Sequence, residues 1–286
     1  MHATRLASVA SATCLAALTQ TATAQSSLTL SPTADTTLYQ TVDGSTSNGA
    51  GDSMFAGLTL RGAGLRRALI RFDLSLVPAG HVVTSARLRL HVTRANGAPA
   101  SVSLYRTLAP WGEGTSDAGA PGGLGIEAAP GDATWLHRSF PSALWSTPGG
   151  DFAPTPSASA IAGDPGPVEW TASPQMLADL NAWATFPADN FGWLLQSTSE
   201  DVSSARRFGT REHADPAMRP TLELTVAPFC DVCLADTNCD GSVDGDDVIA
   251  FFTPWDNGLA EADFNNDGSV DGDDVIEFFG RWDSGC

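Results

Sequence analysis

Two short stretches near the C-terminal end place oxygen-bearing side chains at a spacing that suits a hard divalent cation. The first offers Asp236, Asn238, Asp240, Ser242, Asp244 and Asp247, and the second repeats it as Asp263, Asn265, Asp267, Ser269, Asp271 and Asp274. These are positions 1, 3, 5, 7, 9 and 12 of a loop in which the seventh residue gives its carbonyl and the ninth often acts through a water. Gly241 and Gly268 stand at position 6, where the chain must turn sharply with positive φ. Calcium takes about six to eight oxygens, so each loop is expected to hold one Ca2+ ion. Without it the carboxylates of each loop would repel one another.

These loops belong to an internal repeat. Asp236–Gly258 aligns with Asp263–Gly285 at an offset of 27 residues, and 17 of 23 positions are identical. Val248, Ile249, Phe251, Phe252 and Trp255 follow the first loop, and Val275, Ile276, Phe278, Phe279 and Trp282 follow the second. Their spacing predicts a helix after each loop with this set on one face, a pattern that a solvated acidic tail would lack. The charge is concentrated here: 15 of the 33 acidic residues lie after Phe229, against Arg281 alone, whereas Gln25–Pro228 carries 18 acids and 13 arginines. That balance argues against nucleic acid and anionic membranes as partners. The chain has no lysine, which excludes lysine nucleophiles.

The start of the chain reads as an export signal. Arg5 precedes an apolar run through Cys14 and Leu18, and Ala22-Thr23-Ala24 fits the cleavage rule, giving a leader over 1–24 and a mature start at Gln25. No other run is long and apolar enough for a transmembrane helix, so a secreted, extracellular protein is expected. Beyond Cys14 the cysteines are Cys230, Cys233, Cys239 and Cys286, all in the acidic segment. An even number in a small exported unit reads as two disulfides, with three connectivities open. Cys230 and Cys233 have zinc-like spacing, but no second pair and no nearby histidine completes a site.

A doubled loop ending in Asp, followed but not preceded by a helix, resembles a dockerin over about residues 228–286, specifically the variant that ends in Gly285-Cys286. The resemblance implies a clasp between Cys286 and Cys233 or Cys230, and a cohesin-like or other surface protein as partner. Dockerins recognise cohesins through loop positions 10 and 11, here Gly245-Asp246 and Gly272-Asp273. This pair departs from the small-hydroxyl pair of the cellulosomal type.

Upstream, over 25–227, the chain reads as all-β. Ala86, Leu88, Leu90 and Val92 alternate with Arg87, Arg89 and His91; Ile70, Phe72 and Leu74 alternate with Arg71 and Asp73; Leu222, Leu224 and Val226 alternate with Glu223 and Thr225. Such alternation predicts half-buried strands. Ser173-Pro174 predicts a helix start, with Met176, Leu177, Leu180 and Trp183 on one face. Between Ala109 and Val168 the Gly, Pro, Ser and Ala content predicts long loops with short strands. Four stretches in order resemble the DNRLRE domain family: Ala34-Asp35 with Leu38-Tyr39; Arg67–Asp73 on to Pro78 and Ala86–Val92; Trp145 with Pro148–Phe152; and Asn190–Leu195 with Arg207–Glu212 and Arg219–Leu222. That resemblance implies a β-jelly-roll sandwich, with some members binding acidic polysaccharide. The expected architecture is therefore mainly β, a jelly roll followed by a small all-α calcium-binding module.

Candidate ligand residues in the large region are Trp111, Trp135 and Trp145 in the Gly/Pro-rich loops, whose rings could stack on sugars, and Arg87 and Arg89 on a strand face. With Arg66, Arg67, Arg71, Arg206, Arg207, Arg211 and His213, these arginines could pair with a carboxylated sugar. Trp183 and Trp193 are expected in the core. Asp35 could join a structural calcium site. Glu113, Asp117 and Glu127 could supply a carboxylate pair for glycoside hydrolysis, but no motif surrounds them, and neither a metalloprotease helix nor a Gly-x-Ser-x-Gly elbow is present. The expected function is a secreted, non-catalytic, carbohydrate-associated protein attached to a partner or surface through its acidic module. The alternatives are a polysaccharide-degrading enzyme and an adhesion protein without a glycan ligand.

Overall fold

The computed structural model describes residues 25–59 and 64–284; the expected leader and Cys286 lie outside the described residues. Seven strands come first: β1 (Ser26–Leu30), β2 (Pro32–Tyr39), β3 (Thr46–Ser47), β4 (Ser53–Leu58), β5 (Leu65–Phe72), β6 (His81–Ala95) and β7 (Ala100–Thr107). Then follow β8 (Ile126–Glu127), β9 (His137–Ser139), β10 (Ala143–Leu144), β11 (Phe152–Ala162), β12 (Gly166–Thr171), helix α1 (Pro174–Thr185), β13 (Trp193–Ser197), β14 (Arg206–Gly209) and β15 (Thr221–Pro228).

The long strand β6 is the spine of one layer. Its buried Ala86, Leu88, Leu90 and Val92 alternate with exposed Arg87 and Arg89 and half-buried His91, as the period-two pattern predicts. It pairs antiparallel with β15 and β14 and, separately, with β12. The second layer runs through β2, β5, β13, β7 and β11. Strand β4 joins the layers, pairing with β14 through Ser53–Ala56 and with β5 through Gly57 and Leu58. The result is one curled antiparallel sheet folded on itself, consistent with a β-sandwich.

The main core fills the fold and includes Ile70, Leu88, Leu90, Trp170, Trp193, Phe208 and Leu222. Helix α1 closes onto it. Ser173 caps the helix by accepting from the Met176 N–H at 3.1 Å, and Met176, Leu180 and Trp183 are buried. Trp183 and Trp193 meet edge to face at 4.9 Å, deep in the core as expected.

The region between Ala109 and Val168 differs from its prediction in two ways. Phe152–Ala162 is an eleven-residue strand whose composition disguises it: Pro154, Pro156 and small residues are tolerated because β11 is an edge strand paired only with β7. The remaining loops fold back over the outer face of the second layer. Trp111, Trp135 and Trp145 pack there with Leu38, Leu69 and Leu194 in a second apolar cluster. Strand β5 is consequently buried on both faces, so Leu69 is as inaccessible as Ile70.

From Phe229 on, the described residues hold the short helix α2 (Phe229–Val232), α3 (Gly245–Trp255) and α4 (Gly272–Ser284), with no strand. Phe251 and Phe278, the most buried aromatics of this segment, stack with ring centroids 4.4 Å apart and planes within 2°. The expectation of one shared apolar face needs correction: Ile249 and Ile276 are 66% and 71% exposed and point away from that core. Cys230 is disulfide-bonded to Cys239, and Cys233 is buried and also disulfide-bonded.

Candidate functional site

A cleft of about 640 Å³ opens where β4, β6 and β14 meet the Gly-rich loop 118–125. Its sheet side carries Phe55, Thr59, Arg94, Asn96 and Arg207, and its loop side Pro121, Gly122 and Leu124. The volume lies within the range of small-ligand sites, and apolar walls with a few polar groups are their usual make-up.

The loop is held by buried polar anchors. The Tyr39 hydroxyl donates to the Gly122 carbonyl at 2.8 Å, and Arg66 donates to the Gly123 carbonyl at 3.3 and 3.4 Å. Arg66 also lies over the Tyr39 ring at 4.7 Å. Asn48 Oδ1 accepts from the Ala118 N–H at 2.8 Å. Burial pushes the Tyr39 phenol well above its ordinary range and lowers Arg66, so the phenol stays protonated as a donor. The wall of the cleft is thus preformed.

The cleft floor is cationic. Arg94 and Arg207 are Cα partners across the β6–β14 pair. Arg207 Nε donates to Thr93 Oγ1 at 2.8 Å, and Arg94 is exposed. Among the described residues neither guanidinium meets a carboxylate; the ion pairs of this region use other arginines. Like charges directly opposite on paired strands are unfavourable, so this arrangement is poised for an anion.

The other arginines divide by environment. Arg206 is fully buried and donates to the carbonyls of Ala162, Asn96, Ser204, Ala205 and Ala98. Arg67 pairs with Glu200 at 3.1 Å and lies 5.0 Å from the Trp135 ring. Arg71 lies 5.5 Å from Trp111. Arg211 pairs with Glu113 and Glu212. Arg87, expected to face a ligand, is paired with Glu223 and Glu169, whereas Arg89 stands exposed on the same strand. The candidate tryptophans are corrected on burial: Trp111, Trp135 and Trp145 are only 6%, 7% and 5% exposed, and their rings pack the second core instead of forming a platform. Trp111 and Trp145 also donate their indole N–H to the carbonyls of Phe191 and Thr134. Of the expected arginine cluster, only Arg207 reaches the cleft; Arg94 and the Gly-rich loop were missed. An unmatched arginine opposite another is a feature of register, which no local pattern reveals.

The structure does not bring the three carboxylates weighed for hydrolysis together as a pair, and two of them are engaged elsewhere. Glu113 accepts from Arg211 and from the Asp35 N–H, Asp117 Oδ1 accepts from the Gly119 N–H within its own turn, and Glu127 lies exposed on β8. Asp35 is buried within β2, and burial pushes its carboxyl well above the usual range; the Arg211 N–H opposes that shift, while the charges of Glu212 and Glu113 add to it.

The two C-terminal loops have matching geometry. In the first, Asp236 accepts from the Asp240 and Gly241 N–H groups at 3.1 and 3.0 Å, Asp240 from Ser242 at 2.9 Å, and Asp247 from Asn238 and Asp244 at 3.1 and 2.9 Å. In the second, Asp263 accepts from Asp267 and Gly268 at 3.0 and 2.9 Å, and Asp274 from Asn265 and Asp271 at 3.1 and 2.9 Å. Cys239 and Asn266 at position 4, and Gly241 and Gly268 at position 6, all take positive φ, between 59° and 91°. Each loop is thus held in its turn by N–H donors of its own backbone to its carboxylates. Asp236, Asp247 and Asp274 are buried, and among the described residues no ion pair joins an arginine to them; Arg281 pairs with Glu277. Burial raises the Asp236 carboxyl, with repulsion from Asp247 and Asp240 adding to it, whereas N–H donors from Asp271 and Asn265 hold Asp274 low. An oxygen-only donor set around buried, uncompensated carboxylates fits a hard divalent ion.

Residues 26–116 match the model of carbohydrate-binding module family 96. The matched stretch covers less than half of the chain, from β1 through β7 to the loop that carries Glu113, and includes Phe55, Arg94 and Asn96 of the cleft. The match names neither the DNRLRE nor the dockerin resemblance, and the dockerin-like residues lie outside the matched stretch. No curated protein matches the chain.

Proposed function

We propose that this protein is a secreted, non-catalytic carbohydrate-binding protein that takes an anionic polysaccharide in the cleft beside the 118–125 loop. The observation that carries this reading is the in-register pair Arg94 and Arg207, unneutralised among the described residues, of which Arg94 lies in the stretch that matches a carbohydrate-binding module. A guanidinium pairs a sugar carboxylate through two parallel hydrogen bonds, while Phe55, Pro121 and Leu124 offer apolar surface to the C–H face of a ring. The engagement of Glu113 and Asp117 in structural hydrogen bonds favours binding over hydrolysis.

The C-terminal segment, read as a dockerin-like module over 228–286, folds around two calcium ions and attaches the protein to a cohesin-like or other surface protein. The matched loops, their buried carboxylates and the Phe251–Phe278 stack support that role. The Cys230–Cys239 disulfide is in keeping with export. The test is titration of the purified full chain with polygalacturonate and with a neutral hexose polymer. Binding of the polyuronate that weakens as salt rises is the expected result; equal binding of the neutral polymer, or release of reducing ends, overturns the reading.

A further inference from the structure

A third group of carboxylates lies far in sequence from the C-terminal loops and outside the cleft lining. Asp35 in β2, Glu113 in the segment after β7 and Glu212 in the turn after β14 bring one oxygen each to within 4.8 Å of one another. Acidic clusters are common on protein surfaces and carry no ion for that reason alone. Asp35 sets this one apart: it is 0% exposed, its Oδ2 accepts from the Arg211 N–H at 3.0 Å, and its Oδ1 has no hydrogen-bond partner. An ionised carboxylate oxygen buried without a donor is strongly unfavourable unless a cation faces it.

Arg211 does not meet that need. Its guanidinium is committed to Glu113, at 3.0 and 2.6 Å, and to Glu212 at 2.9 Å. Two of the three carboxylates share the one guanidinium and Asp35 has none, so with all three ionised the junction carries a formal charge of −2. The donor set contains only oxygen, without His or Cys, which selects a hard ion over zinc or copper. An irregular trio of carboxylates beside a guanidinium suits the flexible coordination of calcium better than the strict octahedron of magnesium.

We propose that Asp35, Glu113 and Glu212 hold a structural calcium ion, which ties β2 to the segment after β7 and to the turn after β14. The ion would close a junction between segments that the chain separates by 78 residues, from Asp35 to Glu113, and by 176, from Asp35 to Arg211. It is independent of the C-terminal loops and makes no use of the glycan cleft.

The experiment counts calcium bound to the full chain after equilibrium dialysis against about 1 mM calcium, near the range in which extracellular modules bind. Asp35→Asn should hold one ion fewer than the unaltered protein. Asp236→Ala with Asp263→Ala should lose the loop ions and keep this one, so the two calcium readings fail separately. Should Asp35→Asn not fold, judged by its near-ultraviolet circular dichroism, the more peripheral Glu212→Gln decides, with at least a tenfold weaker site expected. Calcium content unchanged in a folded Asp35→Asn or Glu212→Gln protein overturns the proposal. So does a loop-substituted chain that binds no calcium, because Asp35 would then be buried in its protonated form.

Discussion

Arg94 and Arg207 face each other across the β6–β14 pair, and among the described residues no carboxylate lies between them. Replacing either by Ala should remove a charge-assisted bidentate contact, worth about 1.5–3 kcal/mol. Affinity for a polyuronate should fall by roughly 10- to 100-fold for each, since about 1.4 kcal/mol is one decade. The same substitutions relieve a like-charge cross-strand pair, so the melting midpoint should hold or rise slightly. Calorimetric titration alongside thermal melts checks both halves, and a parallel loss of stability and binding would mark a structural role instead.

The next residue along behaves in the opposite way. Arg206 has its guanidinium surrounded by five backbone carbonyls and is inaccessible to solvent. Arg206→Ala should destabilise the fold by about 3–5 kcal/mol, because several buried acceptors lose their donor at once. Arg206→Lys should rescue only part of this, since an ammonium has three donors and no planar fork. Urea unfolding of both variants beside Arg207→Ala gives the comparison.

That contrast shows where the sequence was legible. Alternation located β6 and β15, Ser173-Pro174 located the start of α1, and the repeat located both acidic loops, because each is a local pattern with a local physical cause. Arg206 and Arg207 look identical in sequence, and only the pleat sends one into the core and the other to the cleft. The tryptophans of the Gly/Pro-rich loops were misread for a related reason: loop composition suggests exposure, but these loops fold over β5 and bury their rings. Strand β11 was hidden by its prolines, which an edge position tolerates.

Burial of the tryptophans gives a third prediction. Trp135→Ala should cost about 3–5 kcal/mol of stability, as expected for emptying a large core site. The Arg67 guanidinium would also lose the ring it covers. Glycan affinity, normalised to the folded fraction, should change by less than about twofold, within the coupling error of separated sites. A large loss of affinity in a stably folded Trp135→Ala protein would restore the stacking role.

The acidic segment should respond to calcium as a unit. Its apolar core is small, built on Phe251 and Phe278 with Ala262, and Asp247 and Asp274 are buried beside the starts of α3 and α4. On the calcium-bound reading proposed above, so little apolar area is not expected to offset the repulsion among the carboxylates of each loop, and small units usually need a disulfide or an ion to fold. Chelation should therefore remove the helical signal of α3 and α4 while the tryptophan signals of the sandwich persist. Within a loop, the substitutions should not be equal. Asp247 accepts from the Asn238 and Asp244 N–H groups through both oxygens, whereas Asp244 caps α3 from the rim through the Asp246 N–H. Asp247→Ala should abolish its ion, and Asp244→Ala, which leaves the remaining ligands in place, should weaken it by about tenfold, the order expected when an outer partner is lost. Calcium titration followed by far-ultraviolet circular dichroism reads both, and helices that survive chelation unchanged would mean that the stack of Phe251 on Phe278, not the ion, holds the segment together.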